Sequence, residues 1–137
     1  MGWIPLALLA AVFAALVAIF GKIGLQNIDT TLATTVRAVI MAAFLVVVSL
    51  AFGKLDFAAL PHGRALLFIT LSGIAGALSW LFMFGALKVG PAPGVAALDR
   101  LSVVFVLVFS ILFLGTQFTS KAAFGAALIA VGAMFMI

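Results

Sequence analysis

The stretch TLATTVRAVIMAAFLVVVSLAF, from Thr31 to Phe52, decides the fold. It is a run of 22 residues whose one ionisable side chain is Arg37. Apolar and small residues fill every face of it, with none of the polar–apolar alternation of a membrane β-strand. At 1.5 Å per residue such a run crosses the roughly 30 Å of hydrocarbon in a bilayer. Working outward, four more runs of the same kind appear. With it they predict helices over roughly 3–20, 31–52, 65–87, 94–114 and 122–137. The fifth is the shortest and needs a thinner membrane or an interfacial end.

Composition points the same way. Of 137 residues, 68% are hydrophobic and 7% charged. A soluble domain is nearer half apolar and a quarter charged. A water-facing surface cannot be made from this chain, so the expectation is an all-α integral membrane bundle of five transmembrane helices in one domain, residues 1–137. There is no cysteine, which excludes disulfide and thiolate chemistry. The net charge of +4 comes from single, scattered Lys and Arg residues. That pattern suits interfacial anchors and membrane lipid, not nucleic acid. The opening Met1-Gly2-Trp3-Ile4-Pro5 lacks a basic n-region, so a retained first helix is expected and not a cleaved signal. Leu6 stands where a myristoylation signal wants Ser or Thr.

The connections carry the punctuation: Gly21-Lys22, then Gly53-Lys54-Leu55-Asp56 through Pro61-His62-Gly63-Arg64, then Lys88 through Pro93, then Gly115-Thr116-Gln117 through Lys121. Gln26, Asn27 and Asp29 read as a turn leading to a helix cap. With five crossings the termini fall on opposite sides. Lys54, Arg64 and Lys121 then face one side, and Lys22, Lys88, Arg37 and Arg100 the other. Three against four gives almost no orientation preference under the positive-inside rule. One fixed orientation, set weakly or by a partner, is one reading. The other is dual topology, in which copies insert both ways and pair antiparallel, recreating the inverted repeat of many transporters.

Small residues recur at helical spacing: Ala7, Ala10, Ala14 and Ala18 in the first helix, Ser72, Gly73, Gly76 and Ala77 in the third. In the fifth, Ala122, Ala126 and Ala130 are joined by Gly125 and Gly132 on a neighbouring face. Such stripes let backbones approach in lipid, either within the chain or across a dimer. Ala122, Ala126, Gly125 and Gly132 are the candidates for a dimer contact.

Several of these stretches resemble the EamA-type domain of the drug/metabolite transporter superfamily in its short, single-domain form. Phe20-Gly21-Lys22-Ile23-Gly24-Leu25 with Leu32-Ala33-Thr34-Thr35-Val36-Arg37 resembles its start. Leu98-Asp99-Arg100-Leu101-Ser102-Val103-Val104 resembles its fourth helix. Phe113-Leu114-Gly115 and Gly125 through Gly132 resemble the end of that helix and the fifth. Thr116 departs from the Glu common after Phe-Leu-Gly in that family. The resemblance spans essentially the whole chain. It implies one half of an inverted-repeat transporter, and hence a homodimer or a heterodimer with another half. It also implies a location in the cell's inner membrane.

Ionisable residues within a membrane cost about 2.5–3.5 kcal/mol each on insertion scales, so each asks for a reason. Arg37, Asp99 and Arg100 lie at similar depth, roughly 10 Å in from the side where their helices begin. Arg37 with Asp99 makes an interhelical pair, either a structural clamp or the polar wall of a cavity suited to a carboxylate or phosphate. Asp99 is the one deep carboxylate and the candidate for proton coupling. Trp80, with Ser79 and Phe84, sits mid-helix, lining a cavity or packing a contact. Lys22 snorkels or stands at the cavity mouth, and Trp3 anchors an end.

No nucleophile–base set, phosphate loop or metal cluster is visible, so neither an enzyme nor a cofactor nor an ATP-driven machine is expected. The first helix carries no acid, unlike the cation exporters of the small multidrug resistance family, which rely on a Glu there. A secondary transporter of small-molecule solutes, most naturally an exporter, is the leading expectation. A non-transporting subunit that stabilises another membrane protein is the alternative. An enzyme acting on lipids is the weakest reading.

Overall fold

The computed structural model describes residues 2–56, 58, 62–117 and 119–137. Met1 of the opening, Pro61 of the second connection and Phe118 of the fourth lie outside the described residues. The order is α1 (Trp3–Gly24), α2 (Thr30–Ala51), α3 (Arg64–Val89), α4 (Ala92–Asp99), α5 (Ser102–Leu114) and α6 (Ser120–Met134), with no strand among the described residues. Four spans, Trp3–Gly24, Thr30–Ala51, Arg64–Val89 and Ala92–Leu114, are long and apolar enough to cross a membrane. The protein is all-α and multi-pass. The last helix has 15 residues, roughly 22 Å at 1.5 Å each.

Two features depart from the hydropathy reading. Helix α1 does not stop at Gly21-Lys22 but runs on to Gly24. One glycine costs a helix only about 1 kcal/mol, and a lysine in the last turn suits the negative end of the helix dipole. The fourth run is not one uninterrupted helix. Between α4 and α5 the bonding tightens to i→i+3: Arg100 N–H donates to Ala97 O at 3.1 Å and Leu101 N–H to Leu98 O at 2.9 Å. Val103 and Val104 follow in the same pattern, to Arg100 O and Leu101 O. This is a short 3₁₀ turn on one continuous path. It falls on Asp99-Arg100-Leu101-Ser102, where short polar side chains favour turns and caps over a helix interior.

The helix ends follow capping chemistry. Asp29 caps α2, its carboxylate accepting from Thr31 N–H at 2.9 Å and Leu32 N–H at 3.1 Å. Pro93 sits in the first turn of α4, where its missing N–H costs nothing. Gly115 ends α5 in the left-handed region (φ 65°), and Thr116 N–H reaches back to Ser110 O at 3.2 Å. That closure favours glycine, which takes the left-handed conformation without strain.

The chain divides into two compact units, residues 1–23 with 89–137, and residues 24–88. In the first, α6 packs on both α4 and α5. In the second, Leu25, Thr34, Phe84 and Leu87 are buried, and the far stretches of α2 and α3 are exposed. Large apolar side chains are exposed along every helix, among them Phe44, Phe68, Phe82 and Phe113. That surface suits lipid, not water.

Candidate functional site

In the unit of residues 24–88 the start of α2 meets the end of α3. Thr34 is buried and spends its hydroxyl on the Thr30 carbonyl at 2.7 Å, within its own helix. One turn later Arg37 leaves the helix half-buried. Its guanidinium carbon lies 3.6 Å from the centroid of the Trp80 ring and 5.8 Å from that of Phe84. Trp80 and Phe84, one helical turn apart on α3, meet edge to face at 5.7 Å and 89°. Phe84 is buried, so the stack is anchored from beneath. A cation over an indole face gains about 2 kcal/mol when desolvated, because the ring's negative quadrupole faces it. Ser79 is exposed beside this stack in sequence.

At the same end of α3, Lys88 donates through Nζ to the Ile28 carbonyl at 3.0 Å. Asp29, next in the chain, lies outside the spans. The Leu32 N–H first of all holds its carboxyl below the usual range against the opposing effect of desolvation, helped by the Thr31 N–H and the Lys88 charge.

In the other unit, Lys22 donates through Nζ to the Gly90 carbonyl at 2.9 Å, tying the end of α1 to the turn before α4. Asp99 and Arg100 are exposed at the tight turn between α4 and α5. The close contacts here involve small residues. Ala126 and Ala133 are the buried residues of α6, and Gly94 and Ala97 those of α4. A Cβ added at Gly94 would lie 3.0 Å from the Met136 carbonyl oxygen and 3.4 Å from Pro91 Cγ. Ala122 and Gly132 are exposed and Gly125 is half-buried, and a Cβ at either glycine meets nothing within 4 Å. Of the small residues expected at a dimer contact, Ala126 therefore belongs to the buried side of α6, while Ala122 and Gly132 lie on an open one.

The structure brings together Arg37, Trp80 and Phe84 of the expected site residues. Lys22, Asp99 and Arg100 fall in the other unit. The aromatic partner of Arg37 is what the sequence reading missed. Depth alone could have found it. Arg37 lies seven residues from the start of α2 and Trp80 nine from the end of α3, so the two sit level.

Four apolar spans, with few ionisable residues among them, define a multi-pass membrane protein. The chain belongs to the EamA-like transporter family, whose profile matches residues 1–137. It is similar to a Sinorhizobium sp protein described as an uncharacterized transporter in cobO 3'region, at 42% identity over 134 residues. That alignment covers 98% of this chain and 95% of its relative. No solved structure matches it. These likenesses point to a membrane transporter and away from an enzyme.

Proposed function

We propose that the chain is a secondary transporter that exports small metabolites across the cytoplasmic membrane, working as one half of a two-part transport unit. The observation that carries this reading is a single transporter-family domain filling residues 1–137. The likeness to the transporter-named relative likewise runs over 95% of that protein's length. Two halves of inverted orientation are the arrangement in which many secondary transporters place a solute site near the bilayer midplane. The second half is another copy inserted the opposite way, or a different half-transporter. The even spread of Lys and Arg between the two sides supports insertion in both directions. Arg37, Trp80, Phe84, Ser79, Lys22, Asp99 and Arg100 remain the candidates for building a substrate cavity.

The test is flux by the purified protein reconstituted alone into liposomes. Solute counterflow is expected without nucleotide, and reporters fused to the C-terminus are expected on both sides of the membrane. Folded protein that moves no metabolite, alone or with a second half-transporter supplied, would remove the transport reading. Reporters on one side only, with no partner expressed, would remove the antiparallel pair.

A further inference from the structure

Arg37 is covered on one side by aromatic rings and is otherwise half-exposed. The Trp80 ring lies against the guanidinium at 3.6 Å, with Phe84 at 5.8 Å. No hydrogen bond to Arg37 is described within its unit, and no buried nitrogen among the described residues lacks a partner, so its N–H groups are accessible. A guanidinium braced this way keeps its in-plane fork of donors, the geometry that matches two oxygens of one anion. The ring also fixes a side chain that otherwise loses about 2 kcal/mol of rotamer freedom when it is ordered. Thr34, a polar side chain one turn back on α2, is already committed to Thr30. The cation therefore stands roughly 10 Å inside the span with an aromatic brace and no described counter-anion in its unit.

We propose that Arg37, braced by Trp80 and Phe84, binds the anionic end of the transported solute, a carboxylate or phosphate, and that Trp80 is its positioning residue. This rests on the transport reading and narrows it to organic anions. An aromatic pair can also hold a cation, but here the protein's own guanidinium occupies the ring face. A cationic solute would have to displace it against like charge.

The protein has two tryptophans, so Trp3→Phe leaves Trp80 as the single reporter beneath Arg37. In phosphate-free maltoside micelles at constant ionic strength, acetate and inorganic phosphate are expected to change Trp80 emission saturably, while chloride does not. Arg37→Lys keeps the charge but loses the fork, and should weaken that response about tenfold, the worth of one charge-assisted bidentate pair. In liposomes, Trp80→Leu is expected to raise KM for anion counterflow with little change in kcat, and Trp80→Phe to restore most of it. A merely structural role would lower the yield of folded protein and leave KM alone.

Emission that ignores both anions, or that answers tetramethylammonium instead, overturns the proposal. So does a response to short-chain phosphatidylglycerol alone, which would make the anion a lipid headgroup. Should neutral or cationic solutes still exchange in those cases, the transport reading survives and this one fails. A saturable anion response without any flux sustains the anion site and removes transport.

Discussion

The two units hold their helices by opposite means. Around Gly94, Ala97, Ala126 and Ala133 the contact is made by residues with almost no side chain, close enough that a single added methyl at Gly94 would press on the Met136 carbonyl. Residues 24–88 use long, polarisable side chains, with Arg37 laid over Trp80 and Phe84. Lipid tails are as apolar as leucine, so burying leucine against leucine stabilises little in a membrane. What remains is close dispersion contact, which needs small residues, or polar and aromatic attraction strengthened by a low dielectric. The small-residue contact offers no polar side chain. The cation–aromatic contact leaves a half-exposed cation, which is chemically able to meet an anion.

The contrast can be broken most severely at Gly94. Gly94→Leu should destabilise the protein by about 3 kcal/mol, the upper range for overpacking. A large fall in Tm in detergent is the expected readout. Gly132→Leu, whose Cβ points into open space, should leave Tm unchanged while testing dimer formation. A Gly94→Leu protein that melts like the wild type would show that the backbones do not approach. Next in size, Trp80→Ala should cost about 2 kcal/mol through loss of the cation–π and edge-to-face contacts. Trp80→Phe should cost less, and Arg37→Met in the Trp80→Ala background should add little if the two act together.

Lys22→Met removes the bond to the Gly90 carbonyl and should cost about 1 kcal/mol, with faster hydrogen exchange in the turn before α4. The smallest effect sits at Asp29. Its folded carboxyl titrates below its ordinary value, so its stabilising charge is fully present above that ordinary value and lost as pH falls through the lowered one. Asp29→Asn keeps the cap but not the charge. Its stability should therefore be flatter than wild type on acidification and nearly equal to it near the lowered value.

The class of fold was legible because lipid imposes a coarse rule. A run such as Thr31 to Phe52 has one stable form in a membrane, a helix. Asp29 as a cap was legible because the chemistry is local, a carboxylate two and three residues from the N–H groups it accepts. The tightened turn at Asp99-Arg100-Leu101 was hidden, since no proline or glycine marks it and hydropathy averages over it. The site was partly legible. Charge counting singled out Arg37, and the rarity of mid-membrane tryptophan singled out Trp80. Pairing them required a contact between helices, which composition and hydropathy do not encode. In the fifth helix, spacing alone grouped Ala122 with Ala126. Which side faces α4 and α5 is fixed by packing, and that packing buries Ala126 while leaving Ala122 exposed.

The central claim, in the form where the second half is another copy of the chain, is that it moves small anionic metabolites through a membrane. Counterflow decides it. Liposomes containing the purified protein alone, preloaded with a mixture of unlabelled organic acids and phosphate esters, are given the same mixture labelled outside. The account predicts transient accumulation of label in wild-type vesicles, and its loss with Arg37→Gln when that variant keeps its helicity and pairing. Folded, paired wild-type protein that exchanges no label, or an Arg37→Gln variant that exchanges it as fast, would contradict the account.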